Sequence, residues 1–321
     1  MDDRQLLGKL AAGPLSGDAL ARELGHTRAA VWKRIQGLRT AGVAIEGRAG
    51  DGYRLCQPLD LLDPAGIRAA LSTEVLGQLD DLQVAWSVGS TNSELLQCSA
   101  PARGCRVLLA ERQTGGRGRR GRGWASPLAA HVYLSVLRGF PGGLAQLGGL
   151  SLVAGVAVAE ALHAMQLGQV RLKWPNDLVA DGHKLGGLLV EGGGEFAGPA
   201  RAVIGIGVNV HMPDDVAARI DQPWTDLDRL AGARLQRNAV AAALLEHLLP
   251  ALEQFQAQGL APFLARYQAL DSLAGRAVRV EQGGVWQDGH ALGLADDGAL
   301  RVVIDGREQH VHAGEVSVRP S

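Results

Sequence analysis

The sequence predicts an α+β protein in three successive units: a short helical unit closed by a β-hairpin, a larger mixed α/β unit, and a terminal unit of short strands. Three observations carry that expectation. Helical periodicity with cap residues runs up to Thr40; continuous apolar runs alternate with amphipathic ones through the middle; and beyond Leu270 short apolar runs are separated by Gly-containing turns. With 321 residues, 46% hydrophobic and 20% charged, the chain has a folded protein's composition and length enough for more than one core.

The formal net charge of -1 excludes a global electrostatic pull toward nucleic acid, so any such surface must be local. Residues 1–57 carry nine Lys/Arg against six Asp/Glu, which places that surface at the N-terminal end. Cys56, Cys98 and Cys105 show no C-x-x-C spacing and form no disulfide framework, in keeping with a reducing cytoplasm. Met1-Asp2-Asp3 lacks the basic-then-apolar order of a signal peptide, and every long apolar run is broken before it could span a bilayer. We expect a cytoplasmic protein with no membrane partner.

In the first unit, Leu6, Leu7 and Leu10 mark one helix, Ser16 caps a second carrying Leu20 and Leu24, and Thr27 caps a third after the Gly25-His26 turn. In the third helix Val31, Ile35 and Leu38 share one face, whereas Ala29, Lys33 and Gln36 share the opposite one. That is helix-turn-helix spacing, with a polar face able to reach base edges or phosphates. Val43 to Ile45 and Tyr53 to Leu55 read as two strands around a basic tip, residues 47–52, that is, a wing. A small helical protein-interaction module is the other reading of this segment.

Gln57-Pro58 to Asp63-Pro64 reads as a linker. Beyond it we expect a helix over 65–76, a strand over 83–87, and a helix from Ser93 for which Ser90-Thr91-Asn92 offers an N-cap. Strands follow at Arg106 to Gln113 and Val132 to Leu137, then a buried helix from Leu150 to Leu167. The strand Val170 to Trp174 runs into Pro175-Asn176-Asp177, leaving polar side chains at a strand end. After the Asp181-Gly182 turn come Lys184, Gly186-Gly187 and a strand over Leu188 to Val190. In the strand from Ala202 to Val210, Gly205 and Gly207 leave one face without side chains, for a packed strand or for a flat ligand. Helices over 238–255, amphipathic, and 261–270 precede the strands 277–280, 285–291, 299–304, 309–311 and 316–318, a small β-barrel pattern.

The stretch Gly116-Arg117-Gly118-Arg119-Arg120-Gly121-Arg122-Gly123-Trp124 joins two of these strands. Glycine lets backbone N–H groups approach a ligand, and arginine offers a fork of donors suited to phosphate and carboxylate. An anion cradle and a solvated Arg-Gly loop that binds RNA both fit the stretch alone.

Taken together, Ser90-Thr91-Asn92, the run from Gly116 to Arg122 with Trp124, Lys173-Trp174-Pro175-Asn176-Asp177-Leu178, the run from Lys184 to Glu191, and Gly205-Ile206-Gly207-Val208-Asn209 resemble the bifunctional biotin–protein ligase and biotin operon repressor family along essentially the whole chain. The resemblance implies an α+β fold of three parts: an N-terminal winged helix-turn-helix (1–62), a central mixed-sheet α/β ligase domain of the biotin/lipoate ligase type (63–270), and a C-terminal small SH3-like β-barrel (271–321). It implies that ATP and biotin give biotinyl-5′-adenylate with Mg²⁺, and that the biotinyl group passes to a lysine of the biotin carboxyl carrier protein domain of acetyl-CoA carboxylase. The adenylate would act as corepressor, favouring a homodimer that binds operator DNA. A biotin-sensing regulator without catalysis and a lipoate-type ligase are the alternatives.

The same resemblance assigns roles. Lys184, Arg119 and Arg122 would be catalytic. Biotin would meet Ser90, Thr91, Asn92, Gln113, Gly116, Arg117, Arg119, Lys184 and Gly187, and the nucleotide Arg119, Arg122, Trp124, Asn176, Lys184 and Asn209. Asp177 would contact Mg²⁺, and Arg28, Ala29, Lys33, Gln36 and Arg48 would contact DNA. Gly123 and the wing's Asp51 depart from the family pattern, where a bulkier or basic residue and a lysine are common. With so many glycines and no packing of its own, the 116–124 loop is expected to be loose until ligand orders it.

Overall fold

The computed structural model describes residues 2–48, 52–194, 196, 198–313 and 316–320. Helices α1 (Asp3–Ala11), α2 (Gly17–Leu24) and α3 (Arg28–Thr40) each start at a side-chain cap, with Asp2, Ser16 and Thr27 accepting from backbone N–H groups. Gly25 ends α2 in the left-handed region at φ 67°, where a side chain would be strained. Val31, Ile35 and Leu38 pack on Leu6, Leu7, Leu10 and Leu20. Strands β1 (Ile45–Arg48) and β2 (Gly52–Leu55) form the antiparallel wing, so Val43 precedes the first strand. Leu128 and Ala129 belong to the same apolar cluster, and Leu128 N donates to Ala41 O at 2.8 Å. The first unit therefore packs on the chain that leaves the arginine loop.

The expected helix over 65–76 is two helices, α4 (Pro64–Ala69) and α5 (Thr73–Gly77). The Ser72 hydroxyl accepts from Val75 N at 3.3 Å and starts the second one, a cap signal that local periodicity hides. Then come β3 (Leu79–Ala85), α6 (Thr91–Leu96), β4 (Cys105–Ala110), β5 (Val132–Phe140), α7 (Leu150–Ala164), β6 (Arg171–Lys173), β7 (Asp177–Ala180), β8 (His183–Gly194) and β9 (Ala200–Val208). Short helices α8 (Asp214–Ala217) and α9 (Leu227–Ala231) lead to α10 (Arg237–Gln258) and α11 (Ala261–Leu270).

These strands make one mixed sheet in the order β3-β4-β5-β9-β8-β7-β6, parallel only between β3 and β4. Alternation along each strand separates two faces. Val132, Leu134 and Val136 of β5, with Ala202, Ile204, Ile206 and Val208 of β9, join α7 and α10 in the main core. The opposite face carries Leu137 and Val203, which pack with Leu95 of α6, and it also carries Ser135, Gly205 and Gly207. Helix α10, expected to be amphipathic, is buried by α7 on one side and by α4 and α5 on another.

Arg237 at the start of α10 and Glu111 after β4 form a fully buried ion pair at 2.8 Å. Leu62 N donates to Glu111 Oε1 and Arg237 N to Asp60 Oδ2, both at 2.6 Å, so the segment after the wing is tied to the central core. The terminal unit is an antiparallel sheet of β10 (Ala277–Gln282), β11 (Val285–Leu294), β12 (Leu300–Ile304), β13 (Arg307–Val311) and β14 (Val316–Pro320), in the order β13-β12-β11-β10-β14. Its apolar face joins the main core, and Trp174 Nε1 donates to Gly298 O at 3.1 Å. Among the described residues no helix is long and apolar enough to cross a membrane.

Candidate active site and DNA-facing helix

The Gly205/Gly207 face of the sheet opens into a cleft of about 1410 Å³. All the residues expected to meet biotin, nucleotide or metal line it except Gly116. Three walls form it.

The first wall is the N-terminus of α6 with β5 and β8. Ser90 occupies the N-cap position of α6 but makes no side-chain cap bond. The triplet is turned inward instead. Thr91 N donates to Gln113 Oε1 at 2.9 Å, and Thr91 Oγ1 lies 3.1 Å from the same oxygen. Ser135 Oγ lies 2.7 Å from Thr91 Oγ1 and 2.6 Å from Asn92 Oδ1. Asn92 Nδ2 donates to Leu189 O at 3.1 Å and to Glu191 Oε2 at 2.8 Å. A buried polar cluster of this kind is stabilised only when its members are matched, and here hydroxyl, amide and carboxylate are matched to one another.

The second wall is the arginine loop between β4 and β5. It is not without packing. Trp124 N donates to Gly116 O at 2.9 Å and Gly118 N to Arg122 O at 2.8 Å, so the loop is a small hairpin with a one-turn 3₁₀ helix at Arg119–Gly121. Arg117 reaches Ser93 Oγ at 2.7 Å and Glu191 Oε1 at 2.9 Å, and Arg120 reaches Glu281 of β10 at 2.7 Å. Tyr133 Oη donates to Pro127 O at 2.9 Å and anchors the exit. Gly116 lies behind the wall because it pairs with Trp124; a Cβ there would come within 2.8 Å of Ser126 Oγ. Arg122 is exposed at the mouth.

The third wall is β6 to β9. Asp177 opens β7, a strand too short between Pro175 and the Asp181-Gly182 turn to read from periodicity, and Lys184 lies on β8. Lys184 Nζ is 2.7 Å from Asp177 Oδ1 and 5.6 Å from the centre of the Trp124 ring. Asn176 Nδ2 donates to Leu188 O at 2.6 Å, which leaves its Oδ1 facing Arg119 Nη1 at 3.4 Å. Burial lowers the Arg119 pKa, against the attraction of Asp177, but a guanidinium stays charged, so the site favours an anion beside it. Asn209 Nδ2 donates to Thr225 O at 3.1 Å. Gly187 carries no side chain over Asp177 and Lys184.

The side-chain-free face of β9 lines the cleft and also admits two side chains of the protein. A Cβ on Gly205 would land on the Asn92 amide, and one on Gly207 would sit 2.8 Å from Trp124 Cε2. The two glycines thus admit one side chain from the first wall and one from the second. Trp124 Nε1 is buried and has no hydrogen-bond partner among the described residues. Sequence reasoning missed Ser135, a lone hydroxyl in an apolar strand, and gave no role to Glu191. It also missed the cleft wall at Met212 and 219–224, which is joined to β8 by Lys184 N donating to Pro223 O at 3.0 Å.

On α3, exposed Ala29 and Lys33 and half-buried Gln36 lie on the side away from Val31, Ile35 and Leu38, and exposed Arg28 lies at the start of the helix, 3.6 Å from Asp18. Trp32 lies among them, 56% exposed. The Arg48 backbone pairs with Gly52 in the wing, while its side chain and Asp51 lie outside the described residues.

Comparison with known proteins decides between the alternatives. Residues 88–209 match the Biotin/lipoate A/B protein ligase family, residues 4–54 an HTH domain, and residues 274–319 the Biotin protein ligase C terminal domain. Bifunctional ligase/repressor BirA of Escherichia coli K12 is 40% identical over 98% of this chain and 96% of its own. The chain belongs to the bifunctional biotin–protein ligase/repressor family. The Bacillus subtilis 168 ligase/repressor is 30% identical over 95% of this chain and 94% of its own. The structure of biotin protein ligase from Aquifex aeolicus in complex with biotin and ATP superposes with a TM-score of 0.63 at 27% identity, covering 75% of this chain and all of that one. This ligase is therefore a biotin–protein ligase fused to a helix-turn-helix unit, with a small SH3-like sheet at its C-terminus.

Proposed function

We propose that this ligase joins biotin and ATP into biotinyl-5′-adenylate and transfers the biotinyl group to a lysine of the biotin carboxyl carrier protein domain of acetyl-CoA carboxylase. The observation that carries the reading is the meeting of three unlike groups in one cleft: the polar Ser90–Asn92 wall, the arginine loop, and Lys184. Biotin's ureido ring needs donors and acceptors matched one for one, which Ser90, Thr91, Asn92 and Gln113 offer. Its carboxylate must approach the α-phosphate, and two anions meet only where cations neutralise the developing charge. Lys184, Arg119 and Arg122 supply that charge. Lys184 is balanced by Asp177 at 2.7 Å before any anion arrives, so its ammonium is positioned beside a partner it can share with a phosphate.

Trp124, Asn176 and Asn209 would take the nucleotide, and Trp124 Nε1 is a buried donor whose need for an acceptor a ligand would meet. Among the described residues no three His, Cys, Asp or Glu side chains form a metal cluster. Mg²⁺ keeps most of its waters and arrives with phosphates, so the Asp177 carboxylate and the Asn176 amide oxygen fit it. Bound there, it would offset phosphate charge in the transition state.

Exposed Arg28, Ala29 and Lys33 with half-buried Gln36, and the wing, support operator binding, with the adenylate as corepressor and the homodimer presenting two recognition helices to a palindrome. The three cysteines are free, which supports a cytoplasmic setting. Incubation with ATP, biotin and the carrier domain tests the reading. Labelled carrier, suppressed by unlabelled biotin and not by lipoate, is the expected outcome; tight biotin binding without labelling would leave only a sensor.

A further inference from the structure

We infer that Glu191 is a positioning residue that sets the donor–acceptor polarity of the biotin wall, an inference resting on the biotin-ligase reading of the cleft. Its carboxylate joins two elements that the site must hold together. Oε2 accepts from Asn92 Nδ2 at 2.8 Å, and Oε1 accepts from Arg117 Nη2 at 2.9 Å.

The first of these bonds fixes the Asn92 amide. Its two neighbours on that side, Leu189 O at 3.1 Å and Glu191, are acceptors only, so the NH₂ group must face them. Oδ1 is then turned toward Ser135 Oγ at 2.6 Å. A serine hydroxyl has one proton, and spending it on Asn92 Oδ1 leaves that oxygen a further lone pair. Gln113 is oriented by the same logic in reverse. Thr91 N donates to its Oε1 at 2.9 Å, which leaves its NH₂ as the end free to donate, while the Thr91 hydroxyl can give its proton to Ser135 Oγ at 2.7 Å. The wall therefore presents an acceptor at Asn92 and a donor at Gln113, matching a cyclic urea with N–H groups and a carbonyl.

The second bond commits Arg117. With Nη1 on Ser93 Oγ at 2.7 Å and Nη2 on Glu191, its guanidinium closes the rim of the wall and has its charge balanced there. This separates it from Arg119, which faces Asn176 on the nucleotide side. Glu191 thus ties α6, the start of the arginine loop and strand β8 at one carboxylate. Glutamine at 191 has the same shape, but its own NH₂ can donate to Asn92, so Leu189 O alone still holds the Asn92 NH₂ and the charge facing Arg117 is lost.

The test uses the full chain and direct calorimetric binding. Glu191→Gln should weaken biotin and desthiobiotin, which share the ureido ring, by roughly tenfold or more, the scale of a hydrogen bond to a charged group, while the Kd of ATP stays within about twofold. Asn92→Ala should weaken biotin comparably, and Glu191→Gln added to Asn92→Ala should cost less than it does alone, because the two share one amide while only the Arg117 pairing is separate. Glu191→Asp should restore part of the loss. Unchanged biotin affinity in Glu191→Gln, equal loss of ATP affinity, or simple additivity with Asn92→Ala would overturn the inference. Should Glu191→Gln fail to fold by thermal melting, Ser135→Ala supplies the second handle. It removes the proton from Asn92 Oδ1 without touching Glu191, and it is expected to weaken biotin binding and leave ATP binding unchanged; no effect on biotin would count against the polarity. A wild-type chain that binds no biotin would sink the ligase reading itself.

Discussion

Gly207→Ala adds one methyl group to the cleft face of β9. Its Cβ would lie 2.8 Å from Trp124 Cε2 and 2.9 Å from Cζ2 and Nε1. Non-bonded carbons settle about 3.5–4.0 Å apart, so the indole must retreat by roughly 1 Å. The retreat is resisted because Trp124 N is held by Gly116 O at 2.9 Å. Overpacking of this kind costs about 1–3 kcal/mol, which is roughly five- to 150-fold in an equilibrium constant. With the indole at the nucleotide side, as proposed, the KM for ATP should rise by about fivefold or more while that for biotin changes by less than about twofold. Gly205→Ala is the mirror experiment, because its Cβ would displace the Asn92 amide and raise the KM for biotin instead. Carrier labelling with each substrate varied in turn measures both. If the two variants raise the same KM, or each raises both equally, the assignment of the two ends of the cleft is refuted.

Lys33→Ala removes an exposed cation from α3, away from the apolar face of that helix, and should weaken operator binding and flatten its salt dependence while carrier labelling stays at the wild-type rate; equal loss of both would mean the two units are not functionally separable. Amide hydrogen exchange over Gly116 to Trp124 should slow when biotin and ATP are added, most at Gly118 to Gly123, since the entry is already held by Arg117 and the exit by Tyr133; uniform exchange with and without ligand would contradict a closing loop. Burial holds His131 neutral, its pKa lowered from 6.5 to about 3. The unfolded chain takes up a proton below about pH 6.5 and the folded chain does not, so this contribution is complete above that pH and is lost as pH falls toward 3, on the order of 5 kcal/mol across the window. Urea midpoints at about pH 7.5 and 4.5 should therefore differ less in His131→Asn than in wild type, and identical differences would dismiss His131 as the source.

Much of the architecture was legible because it is written in local chemistry. Helix α11 was expected over 261–270 and lies at Ala261–Leu270; the caps Ser16 and Thr27 were visible as residue types before helical runs. The helix expected over 65–76 failed at Ser72, where a cap interrupts a run whose apolar spacing continues across it. The residues expected to meet biotin, nucleotide or metal line one cleft, apart from Gly116, yet the reasons for their types were not legible. Gly205 and Gly207 left a packed strand and a flat ligand both open, and the structure sets Asn92 and Trp124, which come from distant parts of the chain, against them in the cleft wall. Read alone, Ser90 to Asn92 suit a cap; their turn into the cleft wall rests on tertiary pairing with Gln113, Ser135 and Glu191, which no local pattern shows. The loop's glycines suggested a segment without packing, whereas Arg117 and Arg120 anchor it to Glu191 and Glu281. Composition marks a loop; its anchors depend on what the fold places opposite.

The measurement that tests the account most directly is biotin-dependent release of pyrophosphate from ATP by wild type and Lys184→Ala, without any carrier present. Adenylation at the cleft predicts one equivalent released by the wild type in a single turnover and a rate lower by roughly 100-fold or more in the variant, the scale for removing one group that stabilises transition-state charge. Release by Lys184→Ala at the wild-type rate, or none from a wild-type protein that binds both biotin and ATP, would contradict it.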